Sequence, residues 1–89
     1  MPYIKISDRG QFSTGLGELF PKTCGELNYV FTEIIKNYLE EKGQSYQTYN
    51  DIVGALECCK IELYRRKIGP YEDVKIQENG DVYEQHDPK

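Results

Sequence analysis

Residues 23–43 read TCGELNYVFTEIIKNYLEEKG and contain the clearest helical signal in the chain. Their apolar side chains recur at steps of three and four, a spacing that places them along one face of an α-helix. Thr23 and Glu26 have the spacing of a capping box at the start of this stretch, and Gly43 suits a left-handed residue at its end. The pattern therefore predicts a helix between Thr23 and Gly43, with an apolar face made of Leu27, Val30, Phe31, Ile34, Ile35, Tyr38 and Leu39.

A second helix is predicted from about Tyr46 to Ile68, and Ser45 and Thr48 are both suited to cap its start. The connection is so short that the two helices are expected to form an antiparallel hairpin. One apolar seam has coiled-coil-like spacing and comprises Tyr49, Ile52, Leu56, Cys59 and Leu63. A second apolar set lies off that seam and comprises Val53, Ala55, Cys58, Ile61, Tyr64 and Ile68. One partner helix covers one face, so the other must be covered by the N-terminal arm, by the tail or by a second copy of the chain. We predict the second copy, in a homo-oligomer assembled through this helix.

The segments that flank the hairpin have weaker signals. Residues 1–22 are interrupted by glycine and proline, which predicts an extended arm with one helical turn near Leu16 to Phe20. Gly69-Pro70 is expected to end the second helix. We therefore divide a single domain, 1–89, into an arm (1–22), a helical hairpin (23–69) and an acidic tail (70–89), and assign it to the mainly α class.

The tail carries a signal for β-structure. Val74 and Ile76 alternate with polar residues, and Asn79-Gly80 is typical of a two-residue hairpin turn. An isolated pair of strands is marginal in water, so a β-hairpin here would have to dock on the helices or on a second chain. The tail is therefore expected to be either irregular or a short docked β-hairpin, with residues 85–89 frayed.

Composition excludes several classes of protein. The chain has 89 residues, which is too short for two domains, and with eight Tyr and three Phe it is too aromatic for a disordered chain. It has no apolar run of about 20 residues, and we expect no membrane partner. The net charge is -4: residues 1–69 carry nine acidic and nine basic side chains, and the acidic excess lies in residues 70–89. Duplex DNA is disfavoured as a partner because binding to it depends on basic surface.

Catalytic and metal-binding patterns are missing from the sequence. Cys24, Cys58 and Cys59 lack zinc-ligand spacing and are expected to be structural thiols, and the one histidine, His86, lies in the polar tail. A nucleophile would need an oriented base, so we expect no catalytic residue, no metal and no cofactor. The odd number of cysteines and an N-terminus without a secretory signal indicate the cytoplasm.

Several blocks of sequence, taken in order, resemble a known family. They are Gly25-Glu-Leu-Asn-Tyr29, Tyr38-Leu39, Ser45-Tyr-Gln-Thr48, Asn50-Asp51-Ile52, Gly54-Ala-Leu-Glu57, Tyr64-Arg-Arg66, Pro70-Tyr-Glu-Asp73 and Glu78-Asn-Gly-Asp-Val-Tyr83. Together they resemble a family of small uncharacterised proteins from bacteriophages and bacteria, over about residues 23–83. The resemblance implies a phage or prophage setting inside a bacterial cell, and it implies no activity and no catalytic residue.

Two clusters are candidate ligand-binding sites. Tyr64, Arg65, Arg66 and Tyr71 lie where the second helix meets the tail, and arginine forks with tyrosine rings suit a small anionic nucleotide. The alternative is that these arginines pair with Glu62, Glu72 or a neighbouring chain and complement the helix dipole.

A second candidate cluster lies at the start of the same helix. Tyr46 and Asn50, with Gln47 and Tyr49, offer rings and hydrogen-bonding groups near an amide-rich helix start that attracts anions. Capping and packing of the hairpin explain the same residues equally well. A dimer could bring this end of the helix close to the arginines of a second chain.

These observations favour a non-catalytic accessory protein that acts by occupancy. It would cap a host or phage protein, such as a host defence protein, or hold a small anionic nucleotide between subunits. The rival hypothesis is a structural or assembly protein whose helices serve only as an oligomer interface. Gln47 and Asn50 would suit a DNA-binding helix-turn-helix, but the balanced charge of residues 1–69 gives no basic surface for the DNA phosphates.

Overall fold

The computed structural model describes residues 2–83, and every regular element among them is helical. A 3-10 turn (Ile6–Asp8) precedes α1 (Gly10–Gly17), α2 (Cys24–Lys42) and α3 (Tyr46–Leu63). A π-helical segment (Tyr64–Ile68) then connects α3 to α4 (Gly69–Asn79). The mainly α class is confirmed, and the expected fraying of residues 85–89 lies outside the described residues.

Side-chain caps set the starts of α2 and α3, as predicted. The Glu26 backbone N–H donates to the Thr23 hydroxyl at 3.0 Å, and the Glu26 carboxylate accepts from the Lys22 backbone N–H at 2.8 Å. The second helix starts after Ser45, whose hydroxyl accepts from the Thr48 backbone N–H at 3.1 Å. Gly43 ends α2 with the predicted positive φ of 82°, although its ψ of 154° is extended and not left-handed helical.

Gly69-Pro70 does not end the second helix, and that prediction was wrong. The π-helical segment carries the chain past the proline, because the Gly69 backbone N–H bonds to the Tyr64 carbonyl five residues back. Pro70 then lies in the first turn of α4, directly after the π-helical segment, and the chain continues through it as a helix. Residues 46–79 therefore form one rod of about 51 Å at 1.5 Å per residue, close to the longest dimension of the molecule, 50 Å.

The two alternatives predicted for the tail, an irregular segment or a docked β-hairpin, are both wrong for residues 70–79, because α4 occupies this stretch. Within α4, Lys75 lies 5.4 Å from the centre of the Tyr71 ring and contacts Glu78 at 3.4 Å, at the i,i+4 and i,i+3 spacings of a helix. Gly80 has a φ of 92° and ends α4, with its backbone N–H bonded to the Ile76 carbonyl. The Asn79-Gly80 signal was right about the positive φ, which a hairpin turn and a helix end both need.

The N-terminal arm is more helical than predicted. The expected turn near Leu16 to Phe20 is replaced by α1, which begins at Gly10 and ends at Gly17. The glycines lower its helix propensity, yet the Ser13 hydroxyl donates to the Gly10 carbonyl at 2.9 Å inside it. Among the described residues, α1 packs its backbone against the 3-10 turn alone. A helix of eight residues is marginal by itself, so α1 needs a further surface for support.

The described residues have no hydrophobic core. No hydrophobic side chain among them is buried, and Thr48 is the one buried residue. The radius of gyration is 17.8 Å, whereas a compact domain of this length has about 12 Å. The chain exposes 8289 Å², against about 5400 Å² for a folded monomer of its mass. A single copy therefore leaves its apolar faces uncovered.

The contact between α2 and α3 is slight. The Tyr38 hydroxyl donates to Asp51 Oδ2 at 3.2 Å near the connecting loop, and the two helices leave an apolar cleft between them. The antiparallel hairpin of α2 and α3 therefore stays a prediction.

Replacing glycine by alanine is expected to stabilise the protein at Gly54 in α3 but not at Gly69, which follows the π-helical segment. Gly54→Ala in α3 should raise the free energy of unfolding by about 0.5–1 kcal/mol, because alanine is the better helix former and its Cβ meets no atom within 4 Å. Gly69→Ala should give no such gain, because its Cβ would lie 3.2 Å from the Tyr64 carbonyl oxygen. Urea unfolding followed by circular dichroism at one protein concentration measures both, and equal gains would contradict the role assigned to Gly69.

Candidate functional site

A cluster of three side chains joins the N-terminal segment to the end of α3. The Tyr3 hydroxyl donates to Glu62 Oε2 at 2.5 Å. Arg65 binds the same carboxylate through two nitrogens, with Nη2 at 2.6 Å from Oε2 and Nε at 3.3 Å from Oε1. This arrangement is the predicted alternative in which an arginine pairs with Glu62, and Arg65 is thereby held against its own helix.

The electrostatics of this cluster follow from its hydrogen bonds. The bonds from Arg65 and Tyr3 stabilise the charged carboxylate and lower the pKa of Glu62 below its usual 4.5. The bond to Glu62 and the nearby negative charge raise the pKa of the Tyr3 hydroxyl above 10.0. The cluster is therefore built to hold one negative charge at Glu62 and a neutral phenol at Tyr3.

The other residues of the first candidate site are more available. Arg66 makes no ion pair within the part of the chain that the structure describes. Tyr64 and Tyr71 are 55% and 59% exposed. Tyr64 and Arg66 belong to the π-helical segment, a form of helix that is frequent at functional sites. Residues two apart on a helix do not face each other, so the structure does not bring Tyr64 and Arg66 together on one face, and a ligand there stays a prediction.

The second candidate cluster lies at the other end of α3. Tyr46 is 84% exposed and Asn50 is exposed, whereas Gln47 Nε2 donates to Asp51 Oδ1 at 2.7 Å and the Tyr49 hydroxyl donates to Gln44 Oε1 at 2.6 Å. Tyr46 and Tyr64 are separated by about 27 Å at the helical rise. The two candidate clusters are therefore not brought together within one chain.

An apolar cleft lies between α2 and α3. Its volume is about 300 Å³, and it is lined by Phe31, Ile34, Ile35, Tyr38, Asp51, Ile52, Ala55 and Leu56. Asp51 is its one charged group, and both of its carboxylate oxygens accept hydrogen bonds, from Tyr38 and Gln47. Burial and the charge of Asp51 raise the pKa of the Tyr38 hydroxyl, so Tyr38 remains a donor. The cleft suits an apolar occupant.

Two of these contacts, Tyr3 with Glu62 and Tyr38 with Asp51, were not predicted from the sequence. Tyr3 is 59 positions from Glu62, and no local pattern indicates their contact. Tyr38 and Asp51 could have been paired, since both lie near the loop of the expected hairpin and Gln47 is four residues before Asp51 on the same helix.

Two further findings bear on metals and membranes. Within residues 2–83, no three side chains of histidine, cysteine, aspartate or glutamate lie together as a metal site. The three cysteines are exposed, so a single copy does not pack them as structural thiols. The same residues form no helix that has both the length and the apolarity to cross a bilayer.

The Glu62 cluster predicts a pH-dependent stability. Because the pKa of Glu62 is lowered in the folded state, its contribution is present at neutral pH and is lost as pH falls through that lowered pKa. Glu62→Gln should therefore melt below the wild type at pH 7, and the difference should narrow as the pH is lowered to 3. Circular dichroism melts across this range measure it.

Glu57→Gln is the matched control. It removes the exposed ion pair with Lys60 at 3.3 Å on the same helix and at the same i,i+3 spacing. The loss of melting temperature in Glu62→Gln beyond that in Glu57→Gln measures the contribution of the hydrogen bonds from Tyr3 and Arg65. A difference in melting temperature that stays constant with pH would contradict the cluster.

Comparison with known proteins gives a family and no activity. No curated protein and no solved structure matches the chain. A family match extends over nearly the whole sequence, and it includes the first twenty-two residues, which the resemblance in the sequence blocks left out. The chain belongs to the family described as Domain of unknown function (DUF6899), which matches residues 1–82.

Proposed function

We propose that this protein is a non-catalytic binding protein that acts by occupancy and assembles as a homo-oligomer. The observation that carries the proposal is that no hydrophobic side chain of the described residues is buried in a single copy. Apolar area released from water contributes about 25 cal/mol per Å², so such a surface favours association with another protein surface.

The polar clusters support binding in preference to catalysis. Catalytic groups act on charges that develop in a site closed to water, where their electrostatic interactions are strong. The Arg65 side chain is 62% exposed, and the Glu62 side chain is 20% exposed with its carboxylate already bound by Arg65 and Tyr3. Such groups suit recognition of a partner surface.

The partner proposed from the sequence is a host or phage protein, such as a host defence protein, inside the bacterial cytoplasm. The phage setting is proposed from the sequence resemblance alone. The rival, a structural or assembly protein, rests on the same apolar rod. The two differ in whether a partner other than the chain itself is captured, and a pull-down from infected cells with wild-type and Arg66→Ala protein distinguishes them.

A small anionic nucleotide is a second candidate ligand, supported by Arg66. Its guanidinium has no acidic partner within residues 2–83, whereas Arg65 is held by Glu62. The rings of Tyr64 and Tyr71 are exposed, but Tyr64 lies two residues from Arg66 on a helix and does not face it, so the candidate rests on Arg66 itself.

The homo-oligomer gives a direct prediction in solution. Size-exclusion chromatography with light scattering should report a multiple of 10.4 kDa. The melting temperature should rise with protein concentration, because association stabilises the folded chain by mass action. A mass of 10.4 kDa at high micromolar concentration, with a concentration-independent melting temperature, would contradict assembly.

The nucleotide candidate is tested by thermal unfolding with mono-, di- and cyclic nucleotides. A true ligand should raise the melting temperature progressively with its concentration, and Arg66→Ala should abolish the rise. Lys67→Ala is the control, since it removes the same charge from the same π-helical segment. If no nucleotide has an effect, the nucleotide candidate is wrong and binding to a protein remains.

A further inference from the structure

We propose that the cleft between α2 and α3 binds a second copy of this chain. The same cleft of that copy faces it across a two-fold axis. This inference rests on the homo-oligomer proposed above and names the surface through which it forms. The product is a dimer in which two copies of α2 and two of α3 pack as a four-helix bundle.

The chemistry of the cleft allows it to face itself. In a two-fold interface the same patch lies on both sides, so a strongly charged patch would repel its copy, whereas an apolar patch would not. The lining contains no lysine, arginine or glutamate. Both oxygens of Asp51 are already hydrogen-bonded within the chain, so covering the cleft leaves neither oxygen of this carboxylate without a partner.

The area that needs covering matches a dimer. The chain exposes about 2900 Å² more than a folded monomer of its mass. Obligate dimers bury about 2000–5000 Å² in total, or roughly 1000–2500 Å² from each chain. One interface of this class therefore fits within the excess. A small apolar ligand in a cavity of about 300 Å³ would be at the lower end of ligand sites and would leave most of the excess exposed.

The lengths of the two helices favour the same arrangement. α2 has 19 residues, and α3, which is the first part of the longer rod, has 18. Two copies therefore supply four helical stretches of nearly equal length, with a short loop between α2 and α3 in each copy. Their contact within one chain is slight. The apolar side chains that line the cleft are therefore free to take side chains of the second copy between them.

The test uses two substitutions on α3. Leu56 lines the cleft, whereas Ile61 lies about 180° around the helix from Ile52, another lining residue. Both are about half exposed in one copy, at 44% and 54%. Leu56→Glu should reduce the mass to 10.4 kDa at concentrations where the wild type is dimeric. Ile61→Glu should remain dimeric, and circular dichroism establishes that each variant is folded.

A cross-linking measurement covers the case in which Leu56→Glu fails to fold. In a chain whose three cysteines are replaced by serine, Ala55→Cys in the cleft should cross-link two copies with a short bismaleimide. Ile61→Cys should cross-link much less. Equal cross-linking from both positions, or more from Ile61→Cys, would overturn the proposal.

The outcomes separate this inference from the proposed function. If the wild type is an oligomer whose mass Leu56→Glu leaves unchanged, the cleft is not its interface and the proposed function stands. If Ile61→Glu dissociates the oligomer instead, the interface lies on the side of α3 that carries Ile61, opposite the cleft. If the wild type is a monomer, this inference and the homo-oligomer both fail, whereas occupancy of another protein is decided separately by the pull-down.

Discussion

Burial of apolar surface is the constraint on which the structure depends. The helices carry apolar side chains at helical spacing, yet a single copy buries none of them among the described residues. Helices shorter than about 12–15 residues are marginal in water without packing. α1 has 8 residues and stands apart from the other helices, whereas α4 continues the rod that begins at Tyr46. α1 is therefore the part whose stability depends most on a further surface.

Local sequence chemistry predicted the middle of the chain well. The capping side chains of Thr23 and Ser45, and the positive φ of Gly43, depend on residues within four positions of one another. The same kind of signal misled at Asn79-Gly80, because a positive φ suits a helix end as well as a hairpin turn. At Pro70 it misled because a π-helical turn carries the helix past a residue that ordinarily ends it.

The candidate site was predictable only in part, because its contacts are non-local. The pairing of Arg65 with Glu62 follows from their spacing on a helix, and it was weighed as the alternative to a ligand. The Tyr3 hydroxyl reaches that pair from 59 positions away, which no periodicity indicates. The cleft between α2 and α3 likewise depends on how two helices leave their loop, and the sequence specifies only that both have apolar faces.

The Arg65–Glu62 pair also bears on which partner the protein selects. An anion that binds Arg65 must compete with a carboxylate held three residues away on the same helix. Exposed pairs of this kind contribute only about 0–1 kcal/mol, so displacement is feasible but the net gain from Arg65 is small. In the proposed nucleotide site, charge recognition would then fall to Arg66 and Lys67, which form no ion pair within residues 2–83. A partner that covers the apolar faces gains from a much larger area, and this difference favours a protein surface over a nucleotide as the principal partner.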